Sequence, residues 1–383
     1  LSTETFTSAV ATTRLHRLPL QNQQSLRAWD AADELLLKHI ASQQLVQANS
    51  KVLLINDHFG TLSVNLAAAN VASISHWGDS YISQLATKHN LQANQLNTSL
   101  HYLSSVEALI ESYDLILIKL PKVTALLETQ LNGLTQHLND GGQIIAAGMC
   151  KHMPMSTYKI FERFIGSTCT SNAHKKARLI FPQVESREIQ SLPYPIRFTE
   201  PSLELSLSNH ANVFSKESLD IGARFFIEQF QQLPAAQNII DLGCGNGVLG
   251  IIAKRIMQQK RIDSHIHFVD ESFMAIASAQ QNYQQAHQQS KDASFYHSEC
   301  LSQLPGLPVD LILCNPPFHQ QHSTGDYIAK RMFSQSYERL KPQGQLWVVA
   351  NRHLPYAPYL KNLFSRCNTI AKNNKFIIYQ LVK

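Results

Sequence analysis

Short apolar runs recur along the chain, and each is closed by a polar or turn-forming residue. Residues 52–55, 239–240, 265–269, 294–297 and 309–314 have the apolar character of strands, and 309–314 has that of a buried parallel one. Longer stretches lie between them, such as the helical run from Ser272 to Asn282. Strands alternating with helices predict a doubly wound sheet. The pattern also occurs twice. Residues 113–122 align with 309–318, 138–147 with 340–349, 78–83 with 270–275, and 176–181 with 375–379. Four matches in the same order predict an internal duplication, each copy closed by a strand pair after its last helix. The expected division is 1–182 for the first copy, a linker over 183–201, and 202–383 for the second. The linker carries prolines at Pro193, Pro195 and Pro201, just after Pro182. The second copy should open with an alternating strand at 203–207 and a helix after Ser215 as N-cap.

Residues 239–250 read IIDLGCGNGVLG: a strand ending in Asp241, then Gly243, Gly245 and Gly247, then a helix start. Glycine suits a backbone that must turn sharply and meet a ligand with no Cβ in the way. Such loops serve several cofactors, but the D-x-G-x-G-x-G spacing differs from the dinucleotide fingerprint. It resembles the S-adenosylmethionine loop of Rossmann-like methyltransferases, in which the acid sits near the methionine end. Asp270 and Glu271 close the next strand, where an acid can accept from ribose hydroxyls, although a helix N-cap is the structural alternative. Glu299, after the strand at 294–297, is a candidate for the adenine amine; a solvated loop acid is the alternative.

Asn315, Pro316, Pro317 and Phe318 end the strand at 309–314. The Asn315 side-chain oxygen and the Pro316 carbonyl can each accept one N–H of a planar amine, whose lone pair is otherwise delocalised. Phe318 would stack on the ring that carries the amine. Catalysis of this kind is mostly positioning and needs no strong base before transfer. The first copy lacks these features. Its loop is Asn56-Asp57-His58-Phe59-Gly60, so side chains stand where Gly243 and Gly245 stand in the second. Lys119 replaces Asn315 and Lys122 replaces Phe318, and a lysine cannot accept from an amine. The first copy should therefore be degenerate, its lysines candidates for RNA contact.

The pairing of glycine loop and Asn-Pro-Pro-Phe resembles methyltransferases that act on the amines of adenine, cytosine, guanine or glutamine. The longer strings NHANVFS (209–215), FVDES (268–272), NPPFHQQH (315–322) and VANRHL (349–354), with AWDAADELLL (28–37), GDSYIS (78–83) and KKARLI (175–180), narrow it. On these the chain is similar to the ribosomal RNA guanine-N2 methyltransferases, with the large-subunit members nearest. That resemblance implies two tandem Rossmann-like sheets, the first degenerate. It also implies S-adenosylmethionine as donor and a guanine amine of large-subunit ribosomal RNA as acceptor. Small-subunit RNA is an alternative target, and a protein-glutamine methyltransferase would use the same clamp. A non-catalytic RNA-binding module is disfavoured by the intact loop and clamp. Phe214 and Arg224, in the segment that leads into the second copy, are candidates for cofactor or target contact, with burial the alternative for Phe214.

Net charge is +5, too mild to announce nucleic acid, but its distribution is uneven. Between 151 and 180 lie Lys151, Lys159, Arg163, Lys175, Lys176 and Arg178 against the single acid Glu162. Lys175, Lys176 and Arg178 are accordingly candidates for phosphate contact, with a solvated face the alternative. The six cysteines show no metal or redox spacing and read as free thiols. His319 and His322 could share a helix face, but no further ligand completes a site, so no metal is expected. No apolar run approaches a membrane span and no secretion signal is evident, so a cytoplasmic, monomeric enzyme is the expectation.

Overall fold

The computed structural model describes residues 4–20, 26–215, 217–288, 291–317 and 323–383. The chain forms two compact units, Leu1–Pro193 and Tyr194–Lys383. The boundary falls inside the stretch expected to be a linker, but that stretch is not featureless. Its first part packs on the first unit, where Glu185 N donates to Ile165 O and Gln190 N to Asn132 Oδ1. Its second part supplies the strand Ile196–Glu200 of the second unit.

Each unit is built on a seven-stranded sheet. In the first, the spatial order is His101–Ser104, Ser73–Gly78, Lys51–Ile55, Tyr113–Lys119, Leu138–Met149, Ala177–Pro182, Thr168–Thr170. In the second it is Ala293–His297, His265–Asp270, Asn238–Leu242, Val309–Cys314, Leu340–Asn351, Phe376–Val382, Arg366–Lys372. In both, the first five strands in that order pair in parallel and the last two antiparallel. The chain starts mid-sheet, moves outward, then returns to the other side. Its direction of travel therefore reverses between Asn238–Leu242 and Val309–Cys314, and a crevice opens at the carboxyl ends of such a pair. This is the duplicated doubly wound fold.

The duplication extends further than the sequence matches. Each unit begins with an antiparallel hairpin, Glu4–Thr7 with Thr12–Leu15 and Ile196–Glu200 with Leu205–Asn209. Each hairpin leads to an aspartate-capped helix, Ala31–Ser42 behind Asp30 and Ile221–Ile227 behind Asp220. Two expectations are corrected here. The alternating strand is Leu205–Asn209, two residues later than read, because Pro201–Leu203 forms a turn closed by Glu204 at φ 50°. The helix cap is Asp220, whose carboxylate accepts from Ala223 N at 2.9 Å, and Ser215 sits in the preceding turn at φ 54°. The helix Phe273–His287 has Ser272 as its cap, with Ser272 Oγ accepting from Ala275 N at 3.1 Å.

Helices pack on both faces of each sheet. In the second unit one face buries Phe226, Phe230, Phe268, Tyr283 and Trp347, and the other buries Phe333, Leu346 and Leu381. Burial of side chains such as Phe226 and Phe268 contributes roughly 2–3 kcal/mol each. The helix Val248–Gln259 lies so close to its sheet that a Cβ at Gly250 would stand 2.4 Å from Phe268. That contact holds the start of the helix, and hence the glycine loop, against the end of the strand.

Candidate active site

The glycine loop follows the strand Asn238–Leu242 with Gly243, Gly245 and Gly247 at φ 71°, 54° and 81°. These are left-handed conformations that strain other residues. Gly243 N and Cys244 N both donate to Val269 O, at 2.8 and 3.0 Å, which ties the loop to the neighbouring strand. A Cβ at Gly245 would meet nothing within 4 Å, so the loop is open to a ligand there. Asp270 Oδ2 accepts from Gly245 N and Asp270 Oδ1 from Ser272 N, both at 3.0 Å.

Asp241 is fully buried beneath the loop. Its Oδ2 accepts from Gly250 N at 2.8 Å, while Oδ1 has no partner. Burial, with Asp270 adding to it, pushes this carboxyl up to about 8. An acid held in this way lacks a cation or donor on one oxygen. Glu299, the candidate for the adenine amine, is buried and not a solvated loop acid. Its carboxylate is gripped by Arg331 Nε and Nη2 at 2.6 and 2.7 Å and accepts from Ser302 Oγ at 2.9 Å. Reading along the chain misses Arg331, because its partner lies more than thirty residues away.

Asn315 follows the strand Val309–Cys314, which pairs directly with the strand that leads into the glycine loop. A Cβ at Gly243 would stand 3.9 Å from the Asn315 carbonyl oxygen and 3.4 Å from Met332 Cε, so loop and clamp share one wall. Asn315 Nδ2 lies 3.4 Å from Asp220 Oδ2, and Asn315 Oδ1 is buried without a partner. The helix cap thus holds the amide so that its oxygen stays available. Pro316 is buried and Pro317 exposed. Phe318 and the His319–His322 segment lie outside the described residues. Phe214 is 57% exposed, not buried, and Arg224 is engaged bidentately by Glu200 at 2.6 and 2.9 Å.

The candidate RNA residues divide. Lys119 is buried and does not face solvent: its Nζ lies 2.8 Å from Asp30 Oδ1 and 2.7 Å from Asp33 Oδ1. Two carboxylates at the head of the helix Ala31–Ser42 draw it inward, which corrects its assignment to RNA contact. Burial pushes the Asp33 carboxyl up to about 6 against the pull of Lys119. Lys122, Lys175 and Lys176 are exposed and Arg178 is half-buried. Lys175 and Lys176 occupy the turn between His174 and Ala177 at φ 47° and 63°, which presents both outward. Lys175 also reaches Glu34 at 2.7 Å. It lines a cleft of about 770 Å³ in the first unit with Arg27, Trp29, Lys38 and His174.

Comparison with known proteins places this geometry. Residues 3–186 match the RLMG N-terminal domain and residues 204–380 the methyltransferase small domain. The chain is 41% identical to the ribosomal RNA large subunit methyltransferase G of Colwellia psychrerythraea, covering 96% of each. It is 41% identical to that of Pseudomonas paraeruginosa, covering 99% of each. The chain belongs to the ribosomal RNA large subunit methyltransferase G family. The Yersinia pseudotuberculosis member is 43% identical over 95% of this chain and 90% of its own. Among solved structures, a T. thermophilus 16S rRNA N2 methyltransferase (RsmC), determined with AdoMet and guanosine, superposes with a TM-score of 0.74. It covers 100% of this chain and 98% of its own at 20% identity, which carries the tandem fold alone. Of the two domains that the family model names, the glycine loop and Asn315 both lie in the second.

Among the described residues no group of three or more His, Cys, Asp or Glu could hold a metal ion. The six cysteines are free. Among the described residues no helix is long and apolar enough to cross a membrane.

Proposed function

We propose that the protein transfers a methyl group from S-adenosylmethionine to the exocyclic N2 amine of a guanine in large-subunit (23S) ribosomal RNA. The observation that carries this is the buried, unpartnered Asn315 Oδ1 at the crevice wall shared with the glycine loop. Membership of the family supports the RNA and the base.

The donor supplies a methyl group activated by its sulfonium. Gly243, Gly245 and Gly247 would give backbone access for it, Asp270 would accept from its ribose hydroxyls, and Asp241, buried beneath the loop, would lie toward the methionine end. Glu299, positioned by Arg331, borders the adenine side. Asn315 Oδ1 and the Pro316 carbonyl accept the two N–H bonds of the amine, so that its lone pair points along the methyl–sulfur axis. Phe318 stacks on the base. When bound, the donor would supply the methyl group, its C–S bond breaking as the N–C bond forms, and the proton left on nitrogen would pass to water. Here the protein contributes position, worth several powers of ten when reacting atoms are held near contact. The guanine must be unstacked to reach the crevice. Lys122, Lys175, Lys176 and Arg178 supply phosphate contacts on the first unit, and the Trp29 cleft beside Lys175 suits an unstacked base. We take the protein to act as a cytoplasmic monomer.

Radiolabelled methyl donor offered separately to 23S RNA, 16S RNA and a peptide release factor tests this. Label in the N2-methylguanine of 23S RNA is expected; label in 16S RNA or in protein glutamine would replace the reading with its alternatives.

A further inference from the structure

A second buried amide stands near Asn315. Asn351 ends the strand Leu340–Asn351, is 9% exposed, and its Oδ1 has no partner. Strand alternation places it on the same face of the sheet as Asn315. Leu313 pairs with Trp347 in register, and both point into the core beneath the helix Ile221–Ile227. Two residues on from Leu313 is Asn315, and four on from Trp347 is Asn351. Asn351 itself pairs with Phe376, which belongs to that same core and stands 3.2 Å from where a Cβ on Gly222 would lie. Gly222 neighbours the cap Asp220 that holds Asn315. The two amides are therefore offset by about 7 Å along the strands and about 5 Å across them. Side chains of that length converge around the edge of one purine.

The first copy shows what the pair is for. Met149 stands where Asn351 stands, as both the sequence repeat and the pairing of Met149 with Ala177 require. Lys119 stands where Asn315 stands. Both acceptors are missing from the same copy, while the surrounding strands keep their register. A packing role alone gives no reason for an unsatisfied amide oxygen, since leaving one buried costs stability.

We propose that Asn351 is a specificity-determining residue of the target pocket, its Oδ1 accepting the ring N1–H of the guanine whose N2 amine Asn315 holds. The proposal rests on the guanine reading of that pocket. Guanine presents N1–H and N2–H side by side, all donors. Adenine and cytosine place an acceptor nitrogen beside their amine, so a second oxygen there would face a lone pair and reject them.

The test uses the full-length protein loaded with S-adenosylhomocysteine and two probes, guanosine and 2-aminopurine riboside. The second keeps the amine at the same position but has no N1–H. Asn351→Ala and Asn351→Leu should weaken guanosine about tenfold and leave cofactor affinity unchanged, while 2-aminopurine riboside, whose N1 lone pair faces the amide oxygen in the wild type, should bind no more weakly and in the alanine variant more tightly. Asn351→Asp, which keeps an acceptor, should restore most of the guanosine affinity. Asn315→Ala should weaken both probes. Equal loss of both probes in the Asn351 variants, or no loss of either, would overturn the proposal while Asn315 and the guanine reading stand. Wild-type protein that fails to prefer guanosine over adenosine would bring down the guanine reading itself, and the proposal with it.

Discussion

At the end of Tyr113–Lys119 in the first unit, the polar side chains close on one another. Asn56 Nδ2 donates to Lys119 O and to Gln130 Oε1, Gln130 Nε2 returns a bond to Asn56 Oδ1, and Lys119 Nζ is closed by Asp30 and Asp33. At the carboxyl ends of three neighbouring strands of the second unit, Asn238–Leu242, Val309–Cys314 and Leu340–Asn351, Asp241 Oδ1, Asn315 Oδ1 and Asn351 Oδ1 are buried and unpartnered. The loop backbones agree at both ends and differ in the middle, where Gly245 holds φ 54° and His58 does not adopt a positive φ. Asn56 and Gly60 hold φ 62° and 75° where Gly243 and Gly247 hold 71° and 81°. The two copies therefore share the fold and differ in polar pairing: in the first, the side chains satisfy one another. The second copy keeps a less stable arrangement, as sites that must bind commonly do.

The largest expected effect lies in the filled copy. Lys119→Met leaves Asp30 and Asp33 facing each other without a cation and should destabilise the first unit by about 3–5 kcal/mol. The loss should shrink as pH falls toward about 6, because without Lys119 the Asp33 carboxyl is pushed higher still and the variant takes up its proton first. Denaturant unfolding followed by fluorescence reports it, since Trp29 and Trp77 both lie in that unit. A change under about 1 kcal/mol would mean the buried ion pairs contribute little beyond a neutral filler.

Asp241 sharpens the comparison from the other side, because Leu54 occupies its place in the first copy. Its folded-state pKa of about 8 lies above the unfolded value, so the folded state holds a proton that the unfolded state releases. Stability should fall as pH rises from about 4 to 8. Asp241→Asn should then stabilise the cofactor-free second unit at about pH 8 by on the order of 5 kcal/mol, with the gain fading toward about pH 4. Cofactor affinity should drop in the same variant. A pH-independent difference would show that Asp241 is not held protonated.

Asn315→Ala should cut turnover on 23S RNA about a hundredfold, roughly 2.7 kcal/mol of barrier, with cofactor affinity within about twofold. Turnover within a few-fold of wild type would break the positioning mechanism. The smallest effect concerns the exposed basic turn. Neutralising Lys175, Lys176 and Arg178 together should weaken RNA binding about tenfold and flatten the slope of log affinity against log salt by about one unit for each phosphate left without its cation. Lys175 should contribute least, being already paired with Glu34. An unchanged salt slope would move the RNA path elsewhere.

The duplicated doubly wound fold, the glycine loop and the Asn315 clamp were legible in the residue order, because each is local. Apolar runs of strand length set the sheet, positive-φ positions demand glycine, and Pro316-Pro317 ends a strand wherever it occurs. The charges were not legible in the same way. Lys119 looked like a cation free to meet RNA, and only folding brought Asp30 and Asp33 from nearly ninety residues away to bury it. Glu299 looked like a free acid until the helix Ser323–Arg339 set Arg331 against it. Asn351 sits in the VANRHL string, but nothing local gave it a role; its meaning comes from the strand register that puts it on the same face as Asn315. Local backbone preference acts over a few residues and can be read along the chain. Which polar group finds a partner is decided across the sheet, by desolvation and distance between segments far apart in sequence.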